Sequence, residues 1–506
     1  MASGARTPHS RRRWILRSVA AVLLVAWLAT AAWQSAKPLP AGLRVAAAPV
    51  TVDAARLRFL ADVTANDAFG QPVITRQIFD ATLALVAGAK DLLVVDYFLF
   101  NAQRGALDAA PDPRLLPLSA MLRDALLARH KADPQLPILV LVDPINSGYG
   151  PVLAPELAAL KDAGIDVVTV DLDPLRDSNA LYSAAWRLTL RWWLTPGASG
   201  IWTNLLDAGS APMSTGALLR LLNFKADHRK VALTGDGHGS LRGIVASANP
   251  HDASSAHSNV GIELAGPALR PLLDSEIAIA RAAGWQGTLP LARVGAAVPA
   301  PEATPANAAR VQVVTEGAIR DARIGRIDGA GRGDAIDIAM FYLSDRSLVR
   351  ALRDAVLRGV ELRIILDPNK DAFGHEKSGL PNRQVAAELV STSHGAVHIR
   401  WYRTHGEQFH AKLVAIRQGE RLWVTLGSAN LTRRNLGDYN LEANVIVDLP
   451  QQGVFAQDEA RWFDMLWANR AVGGVEYTAD VDVYADPSQG RYWLYRFMEA
   501  TGLSTF

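Results

Sequence analysis

DHRKVALTGDGHGSLRGIVASAN (residues 227–249) and FHAKLVAIRQGERLWVTLGSAN (residues 409–430) are two versions of one pattern. Each holds a His-x-Lys, at His228/Lys230 and His410/Lys412, and each closes on Ser-Ala-Asn, with Ser247 and Asn249 in one and Ser428 and Asn430 in the other. The His-to-Asn offsets are 249 − 228 = 21 and 430 − 410 = 20. A single His-x-Lys is a commonplace of surface strands. Two copies with matched Asn are not. Histidine can attack phosphorus or move a proton, while Lys and Asn bind anionic oxygens. The duplicated set therefore predicts one phosphodiester-directed site assembled from two similar halves.

Working outward, the duplication extends upstream. Residues 91–100 (DLLVVDYFLF) and 335–344 (AIDIAMFYLS) have the apolar, β-branched and aromatic content of buried strands. Helical patterns follow at 118–130 and 347–359, both containing Leu-Arg-Asp-Ala. Strands at 136–144 and 360–368 come next, both ending in Asp-Pro, where a turn begins. Strand, helix, strand in this order is a βαβ unit, so an α/β fold of two similar lobes is expected, each a largely parallel or mixed sheet flanked by helices. The first lobe is placed at 45–287, with a Trp-rich insertion near 172–225 that includes Trp186, Trp192, Trp193 and Trp202. An Ala/Pro-rich linker spans 288–310, and the second lobe is 311–506. Aromatic helices at 459–470 and 492–500 are expected to be packing elements.

Side-chain alternation puts His and Lys of each motif on one strand face, with the Ser-Ala-Asn ending the next strand. Downstream strands contribute one acid each, Glu263 and Glu442, able to fix an imidazole tautomer through a hydrogen bond. The expectation is that Glu263 orients His228 and Glu442 orients His410.

With 506 residues there is ample chain for two lobes. Absence of cysteine excludes disulfides, thiolate zinc sites and thiol nucleophiles. Net charge is +2, but residues 1–34 hold five arginines and no acids, so the remainder is 2 − 5 = −3. A body that grips a long polyanion carries a basic surplus, so nucleic acid is disfavoured. The arginines precede an apolar run, SVAAVLLVAWLATAAW (18–33), which predicts either a cleaved signal peptide or a retained membrane anchor. Both readings export the body, to the periplasmic face of the inner membrane or beyond it.

The motifs resemble the signature of the phospholipase D superfamily: His-x-Lys, four residues, Asp, then a Gly/Ser-Asn step. The resemblance spans roughly residues 70–470. It implies two lobes meeting on a pseudo-twofold axis and a metal-independent, cofactor-free phosphodiesterase or transphosphatidylase working through a phosphohistidine. By that resemblance His228 is the nucleophile and His410 the general acid/base. Lys230, Lys412, Asn249 and Asn430 then hold the non-bridging oxygens, and Ser247 and Ser428 add hydrogen bonds to substrate. The implied substrate is a phospholipid at a membrane surface, with water or a small alcohol as acceptor, handled by a monomer carrying both motifs. Other readings are an exported nuclease of the same superfamily and a catalytically weakened lipid-binding protein. Two departures stand out. The Asp position holds Gly235, with Asp236 one later, and Arg417 in the second copy. One hydrophobic segment rather than two separates the chain from cardiolipin synthases. His251, His257 and His405 lie close enough in sequence to support the site, and Arg433 and Arg434 lie close enough to meet a headgroup or to form a solvated loop. The Trp-rich insertion suits a membrane interface, a lid or core packing equally.

Overall fold

The computed structural model describes residues 8–105, 114–207, 209–294, 307–373, 375–469, 474–504 and 506. Most of the expected linker, 295–306, lies outside them.

Two mixed sheets carry the architecture. In the first lobe the order is Pro72–Arg76, Leu57–Asn66, Asn259–Ala265, Leu241–Ala246, Lys230–Gly235, Leu93–Tyr97, Ile138–Val142 and Asp166–Thr169. In the second it is Val50–Asp53, Ala308–Thr315, Ala443–Pro450, Arg421–Gly427, Lys412–Gln418, Ala335–Met340, Glu361–Leu366, Val397–Tyr402 and Thr478–Asp480. Seven consecutive strands correspond between the two. In each sheet the βαβ strands run parallel, Leu93–Tyr97 with Ile138–Val142 and Ala335–Met340 with Glu361–Leu366, and the motif strand joins them antiparallel. The two-lobed α/β expectation holds. Val50–Asp53, within the span assigned to the first lobe, instead extends the second sheet by pairing with Ala308–Thr315.

Alternation along the motif strands explains how the lobes pack. Val231 and Leu233 face a shared core with Leu413 and Ala415, where the two sheets meet. Their neighbours face the other way. Ala232 joins Ile78, Leu85, Leu122 and Leu126 under the helices of the first lobe. Val414 and Ile416 join Leu348, Leu352, Val385 and Leu389 under those of the second. Both faces of each sheet are covered, hence the near-continuous apolar runs. The layers are helix, sheet, sheet, helix, and the strand ends that carry the motifs meet at their centre.

The N-terminal helix Pro8–Ala36 stands apart from these layers. Its segment Arg12–Ala36 is long and apolar enough to cross a membrane, by length and composition. It docks on helix Ala180–Leu188 of the insertion, where Trp27 Nε1 donates to the Leu181 carbonyl at 2.8 Å and the Asp177 amide donates to the Gln34 carbonyl at 2.9 Å. Within that insertion Trp186 is buried, while Trp192 and Trp193 are 69% and 84% exposed. The C-terminal helix Gln489–Thr501 buries Tyr495 and Glu499 but leaves Trp493, Leu494 and Phe497 exposed, so it packs by one side only.

Candidate active site

Each motif histidine is set by three backbone ties. Asp143, ending strand Ile138–Val142, accepts from the Asp227 amide at 2.7 Å; Asp367, ending strand Glu361–Leu366, accepts from the Phe409 amide at 2.8 Å. The Asp-Pro steps thus hold the residue just before each histidine, a role beyond turn formation. The other ties cross the lobes. The His228 amide donates to the Leu441 carbonyl at 2.9 Å, and the His410 amide to the Ser258 carbonyl at 2.8 Å. Leu441 and Ser258 return the bond through their own amides, to Ala226 and Gln408.

This stitching brings the histidines together. Their ring centroids stand 6.5 Å apart at 72°, enough room for one phosphoryl group with near-attack contacts of about 3–3.5 Å on each side. Lys230 and Lys412 lie alongside, each folded back so that Nζ donates to the carbonyl of its own histidine, at 2.7 and 2.8 Å. Each ammonium also sits over a phenylalanine ring, Phe98 at 5.1 Å and Phe341 at 5.2 Å. Those same rings pack on His228 and His410, both at 5.0 Å. Asn249 Oδ1 accepts from the Leu99 amide at 3.2 Å, which leaves its amide NH2 for the site. Asn430 is buried, and its Oδ1 has no hydrogen-bond partner among the described residues.

The orienting residues differ from the sequence expectation. Glu442 serves His228: Nδ1 lies 3.0 and 3.1 Å from its two oxygens. His410 Nδ1 instead faces Asn259 Oδ1 at 3.2 Å. Glu263 is remote, paired on the surface with Arg58 at 2.7 Å and Arg242 at 3.0 Å. The reason is reach. Asn259 begins its strand beside the site, and Glu263 is four residues further, about 13 Å at ~3.3 Å per residue. Each lobe therefore orients the histidine of the other, with a carboxylate in one case and a neutral amide in the other.

Ser247 and Ser428 support these orienting groups and are not available to substrate. Ser247 Oγ donates to Asn259 Oδ1 and accepts from the Val260 amide, both at 3.0 Å. Ser428 Oγ donates to Glu442 and accepts from the Ala443 amide at 3.0 Å. Glu442 also accepts from Asn435.

Burial sets the charge states. It pushes His228 down to about 4, Glu442 only partly opposing it, and pushes His410 well below the usual imidazole range. Both rings rest neutral, with Nδ1–H facing the orienting group and Nε2 left bare. Burial lowers Lys230 to about 8, and Lys412 well below its usual range. It drives Glu442 upward as well, but His228, Lys230 and the Ser428 hydroxyl hold its carboxyl below the ordinary value. Burial raises Asp143 well above the usual carboxylate range, Asp367 to about 6 and Asp227 to about 7, so the negative charge they hold beside the lysines is weakened to different degrees. Two lysine Nζ donors beside the paired histidines make the pocket receptive to a phosphate. No cluster of metal-ligating side chains occurs among the described residues.

The motif departures are distant from this chemistry. A Cβ at Gly235 would stand 2.5 Å from Asp91 Oδ2, so no side chain fits there. Asp236 turns the following hairpin by accepting from the His238 and Ser240 amides at 2.8 and 3.0 Å. Arg417 binds Asp337 and, at 2.7 Å, Glu459. It lies about 23 Å along the strand from His410 at ~3.3 Å per residue. His405 faces Glu407 at 3.6 Å. Arg433 donates to Tyr439 Oη at 2.8 Å and Arg434 to the Gly502 carbonyl at 3.2 Å, so both are packed rather than solvated.

Residues 324–467, which include His410, Lys412, Asn430 and Glu442, match the family described as cardiolipin synthase, PLD-like domain. No curated protein matches the chain in sequence. Among solved structures, phosphatidylserine synthase of Haemophilus influenzae Rd KW20 is similar at a TM-score of 0.53 and 13% identity, covering 90% of this chain and 96% of that one. Nuc, a phospholipase D family member of Salmonella typhimurium, aligns at a TM-score of 0.27 and 19% identity, covering 34% and 97%. Polyphosphate kinase of Porphyromonas gingivalis aligns at 0.43 and 12% identity, covering 93% and 56%. Over residues 324–467 the second lobe is thus similar to the cardiolipin synthase PLD-like domain, and the two lobes together share the fold of a phosphatidylserine synthase.

Proposed function

We propose that the protein is a phospholipase D-type phosphodiesterase that cleaves or exchanges the headgroup of glycerophospholipids at a membrane surface. The observation that carries this reading is two buried imidazoles with ring centroids 6.5 Å apart, one from each lobe, each with the lysine of its own motif folded alongside.

In the first step His228 Nε2 attacks phosphorus and the bond to the leaving alcohol breaks, that oxygen taking a proton from His410 Nε2. His410 then removes a proton from water or an incoming alcohol, whose oxygen attacks phosphorus and breaks the P–N bond. Lys230, Lys412, Asn249 and Asn430 stabilise the non-bridging oxygens as charge builds. Phosphorylation at Nε2 makes the His228 ring cationic, because Nδ1 keeps its proton. Glu442 stabilises that cation, and Asn259 has no charge to offer His410. The asymmetry supports His228 as nucleophile. An incoming phosphodiester raises the depressed basicity of His410 and loads it as an acid.

The lipid substrate is supported by the apolar N-terminal helix, the body charge of 2 − 5 = −3 and the exposed Trp192 and Trp193 on the element docked against that helix. The family match and the fold neighbour are also named for phospholipid synthesis. The test incubates the full chain with labelled phosphatidylcholine, phosphatidylglycerol and single-stranded DNA, chelator present. Headgroup release or exchange is expected. DNA cleavage without lipid turnover, or phosphate binding without any turnover, would overturn the reading.

A further inference from the structure

His257 is a third buried imidazole at the site that the mechanism does not use. Its ring centroid is 5.9 Å from that of His410, and only 5% of the residue is exposed. Nδ1 accepts a hydrogen bond from the Gln408 amide at 3.3 Å, which fixes the tautomer: the proton sits on Nε2. Nε2 is buried and has no hydrogen-bond partner among the described residues. An unmatched buried N–H donor costs stability, so such a group calls for a reason.

The pseudo-twofold supplies a control. Asn440 occupies the corresponding place in the other lobe, two residues before Glu442 as His257 is two before Asn259. Its Oδ1 accepts from the Ala226 amide at 3.1 Å, two residues before His228 as Gln408 is two before His410. The lobe-linking bond therefore needs only the acceptor that an asparagine provides. What histidine changes at 257 is the reach of the remaining donor: Nε2–H lies across the ring, farther from the backbone than the NH2 of an asparagine whose Oδ1 is already engaged. Phe373, directly after strand Asp371–Ala372, stacks on the ring at 5.7 Å and 22° and holds its plane. Burial, with Lys412 and His251 nearby, drives the basicity of His257 down to about 3, so the ring stays neutral and keeps one donor.

We propose that His257 is a substrate-binding residue whose Nε2–H donates to a phosphoryl oxygen on the His410 side of the site. This rests on the phosphodiesterase reading above. Being always neutral, the ring adds a donor beside His410 without adding a charge that would further oppose its protonation.

The test compares wild type with H257N, which retains the link to Gln408 as Asn440 does in the other lobe. Full-length protein in detergent is titrated with inorganic phosphate and assayed on phosphatidylglycerol vesicles. Losing one hydrogen bond to a charged oxygen predicts phosphate binding weakened about 10-fold or more, KM raised similarly, and kcat within about 3-fold. Full phosphate affinity and KM in a folded H257N overturn the proposal, as does a defect confined to the lipid arm, which would place the donor on the headgroup. Independently of any variant, the wild-type 15N-histidine spectrum should show the His257 Nε2–H moving downfield on phosphate saturation. An unmoved signal overturns the proposal. Wild type that neither binds phosphate nor turns over lipid overturns the phosphodiesterase reading instead.

Discussion

Replacing Glu442 by glutamine removes one charge and one of its two acceptor oxygens at nearly constant size. The carboxylate is fully buried, with His228 Nδ1 at 3.0 and 3.1 Å from its oxygens. With the charge centres at roughly 4 Å and an effective dielectric near 20, the attraction between Glu442 and a phosphorylated, cationic His228 is about 4 kcal/mol. A neutral amide acceptor retains about 1 kcal/mol of hydrogen bond. The difference, about 3 kcal/mol, corresponds to roughly 150-fold in the rate of phosphohistidine formation. Glutamine is nearly isosteric with glutamate, and an amide oxygen already orients His410 through Asn259. E442Q should therefore melt near wild type while its rapid-quench burst on a labelled phosphodiester slows by about two orders of magnitude. N259D, which adds a charge beside His410, should not raise the burst rate. An E442Q burst within about 3-fold of wild type would refute the argument that Glu442 stabilises charge on His228.

Other outcomes follow from the same geometry. R417A strands Asp337 and the buried Glu459, although Arg363 still pairs with Asp337 at 2.7 Å; a loss of about 2–4 kcal/mol is expected in denaturant titrations, with KM unchanged. Because Lys230 is lowered to about 8 in the free enzyme, kcat/KM should fall as pH rises through that region and the ammonium loses its charge; K230R should shift or abolish that limb. A chain lacking residues 1–36 should still bind anionic vesicles through the insertion, and replacing the exposed Trp192 and Trp193 by alanine should weaken that binding several-fold in flotation assays.

Much of this arrangement was legible in the residues. The duplicated motifs, the paired βαβ segments and the Asp-Pro steps all report local strand and turn chemistry, which alternation and apolar content reveal. The orienting residues were not legible, because they act across the lobe boundary. Glu263 and Glu442 look equivalent as acids, yet their offsets from the preceding histidine are 263 − 228 = 35 and 442 − 410 = 32. Asn259 gives 259 − 228 = 31, the closer match, and that spacing was the available signal. Ser247 and Ser428 were misjudged for a related reason: a hydroxyl beside a reactive group is as useful in bracing its neighbour as in touching substrate. Phe98 and Phe341 were hidden among strand aromatics until their ammonium contacts were seen.

The most direct measurement is acid-quenched trapping of labelled phosphate on the full-length protein during turnover of a phosphodiester, followed by peptide mapping. The account predicts label on the peptide containing His228, present in wild type and absent in H228A. Label on the His410 peptide, or turnover with no phosphohistidine formed, would contradict it.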